Sequence, residues 1–384
     1  MIPYGKQEIT QDDIDSVIEV LKSDFITQGP AVPRFEKSIT DHCSVKYAVA
    51  VNSATSALHT ACMALGLGEG DWLWTSPNTF VASANCGLYC GSQVDFIDID
   101  PRTYNMSVEA LQHKLEKAER EGKLPKIVIP VHFAGQSCDM KAISSLAKKY
   151  NFKIIEDASH AIGGKYLDKP IGGCEYSDIT VFSFHPVKII TTGEGGIATT
   201  NDKALADKML RLRSHGVTRD PEYMISGNNE PWYYEQIELG LNYRMTDIQA
   251  ALGVSQMQRL DNYIESRHRL CEQYEKLLQD MPVITPWQSP DSYSALHLYP
   301  IQIDSSVSLS RRKVFEDLRE AGIGVNVHYI PVHTQPYYRN MGFIETDFPN
   351  AMEYYKNAIS LPMFSVLTNE QQLEVVGALK KILQ

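Results

Sequence analysis

Between about Val45 and Thr200, short β-branched runs alternate with amphipathic stretches, the pattern of strand–helix units wound around a largely parallel sheet. Strands are expected over Tyr47–Val51, Trp72–Thr75, Val94–Ile97, Ile127–Val131, Lys153–Glu156, Thr180–Phe184 and Gly196–Thr200. Leu58, Ala61, Cys62 and Leu65 fall at i, i+3, i+4, i+7, and Ile143, Leu146, Ala147 and Tyr150 repeat that spacing, so each stretch has an apolar face to lay on the sheet. Past Thr246 the spacing is helical through Leu278. A Pro-bounded strand over Leu296–Ile303, a helix over Ser310–Ala321 and a strand over Val325–Tyr329 follow. The pattern predicts a large α/β domain over residues 1–245 and a smaller C-terminal α+β domain over 246–384. His215–Glu238, with Pro221, Gly227, Pro231 and several Asn, has turn chemistry and no period, and reads as a long loop.

The 384 residues are 43% hydrophobic and 22% charged, which supplies apolar surface for sizeable cores and excludes disorder as the main theme. Lys and Arg number 36 against 47 Asp and Glu, a net charge of −11 with no basic stripe, so nucleic acid and anionic lipid are poor partners. Seven scattered cysteines without a CxxC pair read as reduced thiols of a cytoplasmic protein. The first residues carry no apolar signal segment, and no run approaches the ~18 apolar residues of a membrane span. No HExxH or Cys/His spacing suggests a metal.

In parallel α/β sheets ligands sit beyond the carboxyl ends of the strands, and four such junctions are unusual here. Asn52-Ser53-Ala54-Thr55-Ser56-Ala57 opens a helix with small residues and hydroxyls, a phosphate cradle at a positive helix end or an ordinary Ser cap. Asp157 leaves the end of a strand buried on both faces, where a protonated pyridine nitrogen or a helix N-terminus would satisfy it. Lys188 follows Ser183-Phe184-His185-Pro186 and precedes Thr191-Thr192-Gly193-Glu194-Gly195-Gly196, whose paired glycines permit close backbone approach. Phe80, in Pro77-Asn78-Thr79-Phe80, offers an aromatic face. Phosphate anchorage, a stacking ring, a carboxylate and an amine are together what pyridoxal phosphate requires.

With Arg213-Ser214-His215-Gly216 and Leu241–Asp247, these motifs make the chain resemble the DegT/DnrJ/EryC1/StrS sugar aminotransferases over nearly its whole length. The resemblance implies the aspartate-aminotransferase fold (fold type I), the cofactor pyridoxal 5'-phosphate, a substrate segment at the N-terminus, and a homodimer with shared active sites. It implies that Lys188 binds the cofactor covalently and Asp157 pairs with its ring nitrogen. Ala54, Thr55 and Ser183 would hold the phosphate, Phe80 would stack on the ring, and Asn242 would reach the phosphate from the partner subunit. His160 is expected to contact the cofactor site as a support for Asp157, with His185 nearby. Arg213 and Arg244 are candidates for clamping diphosphate or a donor carboxylate. Members with His in place of the lysine are dehydratases, so Lys188 points to transamination.

Within the family, Phe25–Gly29, Ser183–Lys188, His297–Pro300 and Val325–Tyr329 are most similar to members that aminate C4 of a UDP-linked 4-keto-6-deoxy N-acetylhexosamine for pseudaminic acid, with L-glutamate as donor. That similarity implies substrate contacts from Tyr4, Asp24, Phe25, Ile26, Thr27, Ala54, Ser183, Asn242, Asn326, Val327, His328 and Tyr329. Asn326 stands where Gln is expected, and Arg219–Glu235 is longer than the family pattern. Keto sugars of the 4-amino-arabinose, perosamine or bacillosamine type therefore stay open. A non-catalytic nucleotide-sugar-binding regulator on the same fold is opposed by Lys188 beside Asp157. A dinucleotide oxidoreductase would need a GxGxxG turn that the chain lacks.

Overall fold

A computed structural model describes residues 1–228 and 230–384; Asn229, inside the expected loop, lies outside the described residues. Seven strands form one sheet: β1 (Tyr47–Val51), β2 (Trp72–Thr75), β3 (Gln93–Phe96), β4 (Ile127–Ile129), β5 (Lys153–Asp157), β6 (Ile179–Ser183) and β7 (Gly196–Thr200). Their order is β1-β7-β6-β5-β4-β2-β3. The four pairings from β6 across to β3 are parallel, and β7 runs antiparallel to both β1 and β6. The class expected from the alternating pattern is therefore the one observed.

Successive side chains leave a strand on opposite faces. Helices α1 (Gln11–Lys22) and α2 (Ala31–Cys43) precede the sheet, and α3 (Ala54–Ala64) and α4 (Ala82–Tyr89) follow β1 and β2. Val49, Val51 and Val181 pack with Leu58 and Ala61 of α3, whereas Ala50 and Phe182 face Phe35 and Ile39 of α2. Both faces are thus covered, and polar chemistry is left to the strand ends. After the sheet come α5 (Asp247–Met257) and α6 (Leu260–Leu278), then β8 (Val283–Ile284), β9 (Tyr299–Ile303), α7 (Arg311–Glu320) and β10 (Ala358–Leu361). The last three strands pair in the order β8-β9-β10 over a second core that holds Leu270, Tyr274, Leu318 and Val375.

Several details differ from the pattern reading, each for a local reason. The strand expected to reach Val131 stops at Ile129 because Pro130 has no N–H for the ladder. The single helix expected through Leu278 breaks at Gln258–Arg259, where the Arg259 guanidinium turns to Asp13 of α1 (2.6 and 2.8 Å). Leu296 takes a left-handed φ of 48°, so β9 begins only at Tyr299. Val325–Tyr329 is not a strand. Asn326 makes one bridge to Ser360, and the next N–H groups go to side chains: that of Val327 to Asn326 Oδ1 (2.8 Å) and that of Tyr329 to Asn78 Oδ1 (3.2 Å). The long loop holds one short pair, Val217–Thr218 with Glu235–Gln236. The 245/246 boundary drawn from sequence runs through packed side chains, since Ala250 and Ala251 of α5 join the core beneath β7 and Ile2 joins the C-terminal core.

Candidate active site

Asp157, Ser183 and the start of α3 converge at one rim of the sheet, around a cavity of about 930 Å³, a size suited to a cofactor with a small substrate. Tyr4, Ala54, Thr55, Phe80, Asp157, His160, Ser183, Lys188, Asn326, Val327, His328 and Tyr329 all line it. The structure thus brings together most of the residues singled out from sequence, His185 included.

Asp157 ends β5, and strand alternation decides which carboxylate of Glu156-Asp157 reaches the cavity. Glu156 points to the other face, held by His132 Nε2 (2.7 Å), Thr180 Oγ1 (3.1 Å) and the Ser177 hydroxyl. Asp157 is only 5% exposed. Ser83 Oγ donates to its Oδ2 (2.6 Å), and Ser159 donates to Oδ1 through Oγ (2.6 Å) and N–H (3.2 Å). A buried carboxylate with three fixed donors and one open side is ready for a cationic partner.

Opposite it, Lys188 makes no side-chain hydrogen bond among the described residues. It is the only lysine or arginine lining the cavity among them. Burial pulls the amine down to about 8, opposed by the Asp157 charge, so near neutrality a useful fraction is the free, nucleophilic base. The rate at which apoenzyme captures pyridoxal phosphate should therefore rise about tenfold per pH unit and level off near pH 8, read from visible absorbance. A rate still climbing at pH 10 would mean a fully hydrated amine.

Ser53 caps α3 by accepting the Ser56 N–H (3.1 Å), which leaves the N–H groups of Ala54 and Thr55 without intrahelical partners. A Cβ on Gly196 would stand 2.5 Å from Ala54 N and from the Ser53 backbone, so only glycine lets β7 close against this turn. The hydroxyls of Thr55 and Ser183 have no partner among the described residues. Free N–H groups at a helix start, two hydroxyls, an anchored carboxylate and a buried amine fit pyridoxal phosphate in donor type and placement.

Two histidines of the site, His160 and His328, are held uncharged. Burial first and the Lys188 charge second depress His160 well below its ordinary range and pull His328 down to about 3. His160 does not support Asp157 as expected: its ring nitrogens engage the Ala134 N–H (3.3 Å) and Tyr329 Oη (3.0 Å), and serines do that work instead. Arg213 is no free clamp, because Glu36 and the Ala50 carbonyl take its guanidinium, each at 2.6 Å. Within one chain Asp24, Phe25, Ile26, Thr27 and Asn242 are exposed and do not line the cavity. The Asp247 carboxylate holds the turn from Asp24–Thr27 into α2 through the N–H groups of Gly29 and Ala31 (both 3.1 Å). Sequence reasoning missed Ser83 and Ala134, which carry no motif and meet the site only through folding. Among the described residues no helix is long and apolar enough to cross a membrane.

Comparison with known proteins gives the same picture. The profile of the DegT/DnrJ/EryC1/StrS aminotransferase family matches residues 7–380. The UDP-4-amino-4,6-dideoxy-N-acetyl-beta-L-altrosamine transaminase of Campylobacter jejuni is 38% identical over 385 residues, covering 100% of this chain and 98% of the relative. The GDP-perosamine synthase of Caulobacter vibrioides is 35% identical, covering 100% of this chain and 98% of the relative. Among solved structures, Helicobacter pylori PseC, an aminotransferase involved in the biosynthesis of pseudoaminic acid, superposes with a TM-score of 0.91 at 30% identity, covering 100% of this chain and 99% of that one.

Proposed function

The chain belongs to the DegT/DnrJ/EryC1/StrS aminotransferase family, and from that premise we propose that it moves the amino group of L-glutamate to C4 of a UDP-linked 4-keto-6-deoxy N-acetylhexosamine, as a homodimer. It is a pyridoxal-phosphate-dependent sugar aminotransferase. The observation that carries the reading is the buried Lys188 amine across the cavity from the serine-anchored Asp157.

When bound, pyridoxal phosphate supplies an electron sink for the negative charge that develops at the substrate carbon as its proton leaves. The chain's own residues do the rest. Asp157 would keep a proton on the ring nitrogen, and the start of α3 with Ser183 would hold the phosphate. Lys188, as a free amine, would take the proton from the substrate carbon and return it at the acceptor carbon, as base and then as acid. With a pKa of about 8 it suits both roles near neutral pH.

A shortage of charge supports the homodimer. The two carboxylates of glutamate and the diphosphate of a nucleotide sugar all need donors, yet among the described residues of one chain Lys188 is the single lysine or arginine lining the cavity. A second copy bringing its exposed Asn242 and neighbouring residues to the mouth would supply them. A GDP-linked 4-keto sugar is the second reading, favoured by the 35% identity to a GDP-perosamine synthase. Mass spectrometry of products from UDP-, GDP- and dTDP-linked keto sugars offered with glutamate tests both. Amination of the UDP N-acetyl sugar is expected, and success only on another nucleotide would replace the substrate assignment.

A further inference from the structure

A hydrogen-bond chain of fixed direction ends on the cavity wall. The Ala134 N–H donates to His160 Nδ1 (3.3 Å), so that nitrogen carries no proton and the ring's single proton sits on Nε2. Nε2 lies 3.0 Å from Tyr329 Oη, and its N–H is the donor of that pair. The phenol therefore accepts from His160 and turns its own O–H elsewhere. It has no acceptor among the described residues, and Tyr329 lines the cavity that holds Lys188.

The backbone that starts this chain is itself clamped. Ala134 sits at a left-handed φ of 57°, rare for a residue with a Cβ, and its carbonyl accepts the N–H groups of His297 (2.8 Å) and Leu298 (3.3 Å). At the next residue, Gly135 (φ 103°), a Cβ would stand 2.7 Å from Leu296 N and 3.0 Å from the His160 carbonyl. Arg267, 3% exposed and without a carboxylate partner, gives its guanidinium to the carbonyls of Leu296 (3.0 Å), His297 (3.1 Å) and Met363 (3.1 Å). Burying an uncompensated guanidinium is costly. The fold accepts that cost on the segment that fixes Ala134.

We propose that Tyr329 is an oriented hydrogen-bond donor to the keto oxygen of the sugar, and that Ala134 and His160 are positioning residues that set the direction of its proton. This rests on the sugar-aminotransferase reading and adds a role to it. As nitrogen bonds to the carbonyl carbon, the C=O electron pair moves onto oxygen, where a preorganised donor is most effective. The nitrogen gives up two protons, the oxygen gains two and leaves as water, and Lys188 carries both. Tyr329 stabilises the oxygen without ionising, since burial, followed by the Asp157 charge, raises its phenol above the ordinary value.

The test combines kinetics with a tautomer measurement. Y329F should lower kcat about 100-fold, leaving cofactor affinity and the pH profile of kcat in place. H160L should fall as far. H160Q, whose amide accepts from Ala134 and donates to Tyr329, should recover most of the loss. ¹⁵N NMR of histidine-labelled holoenzyme, with His160 assigned by its absence in H160Q, should show the neutral Nε2–H tautomer at pH 7. A proton on Nδ1, equal losses in H160Q and H160L, or wild-type kcat in Y329F would overturn the proposal. The tautomer is read without any sugar, so its outcome is independent of whether the substrate assignment fails.

Discussion

Lys188→Ala should lower kcat by at least about 10⁴-fold while leaving the fold intact. The reason is a division of labour visible in the cavity. No other lysine or arginine among the described residues lines it, and His160 and His328 are held neutral, the latter pulled down to about 3, so neither can replace the amine as nucleophile and proton carrier. Stability should change little. The Lys188 side chain makes no hydrogen bond among the described residues, and its truncation relieves the desolvation that depresses the amine to about 8, offsetting the lost packing contacts. Lys188→Arg separates charge from chemistry: a guanidinium keeps the cation but cannot shed its proton near neutral pH, so it should be as inactive as the alanine variant. The measurements are turnover by product mass spectrometry, borohydride trapping of the cofactor on the chain, and a thermal melt. Either variant retaining more than about 1% of kcat would exclude Lys188 as the proton carrier.

The contrast between Lys188 and its supports shows what the sequence can carry. The strands at Tyr47–Val51 and Gly196–Thr200 and the Ser53 cap are written in local periodicity and turn chemistry, so the phosphate-cradle candidate was legible before folding. Asp157 was legible too, because a carboxylate at the end of a strand buried on both faces conflicts with its surroundings unless it has work to do. What binds Asp157 was not. Ser83 lies 74 residues earlier on helix α4, and a serine on a helix has no signature of its own. The segment Val325–Tyr329 misled because its alternation is strand-like while its N–H groups are satisfied by asparagine side chains, one of them 251 residues away. Periodicity reports which face is buried; it does not report which side chain has intercepted a ladder. His160 failed for a related reason. Its neighbour in sequence is Ser159, which does bond Asp157, but the imidazole swings to partners set by the Ala134 turn.

Asp157→Asn isolates the second half of the chemistry and should lower kcat by roughly 10²- to 10³-fold with the cofactor still bound. The carboxylate contributes a full negative charge in a buried setting, 5% exposed, where it favours a protonated ring nitrogen far more than it would in water. The amide keeps the shape and loses the charge. Ser83 and Ser159 can rotate their hydroxyls to meet the new N–H group, so the strand end stays in place. The helix start at Ala54–Thr55, Ser183 and Lys188 are untouched, so phosphate grip and covalent attachment survive, and bound cofactor should still be seen by absorbance. Removing the Asp157 charge also removes the attraction that holds a proton on the Lys188 amine. The pH at which cofactor capture levels off should accordingly move below 8, a shift in the direction opposite to that of a merely loosened site. If Asp157→Asn turned over within threefold of the parent, or lost its cofactor outright, the carboxylate would be a structural cap of the strand end and the ring-nitrogen role would fall.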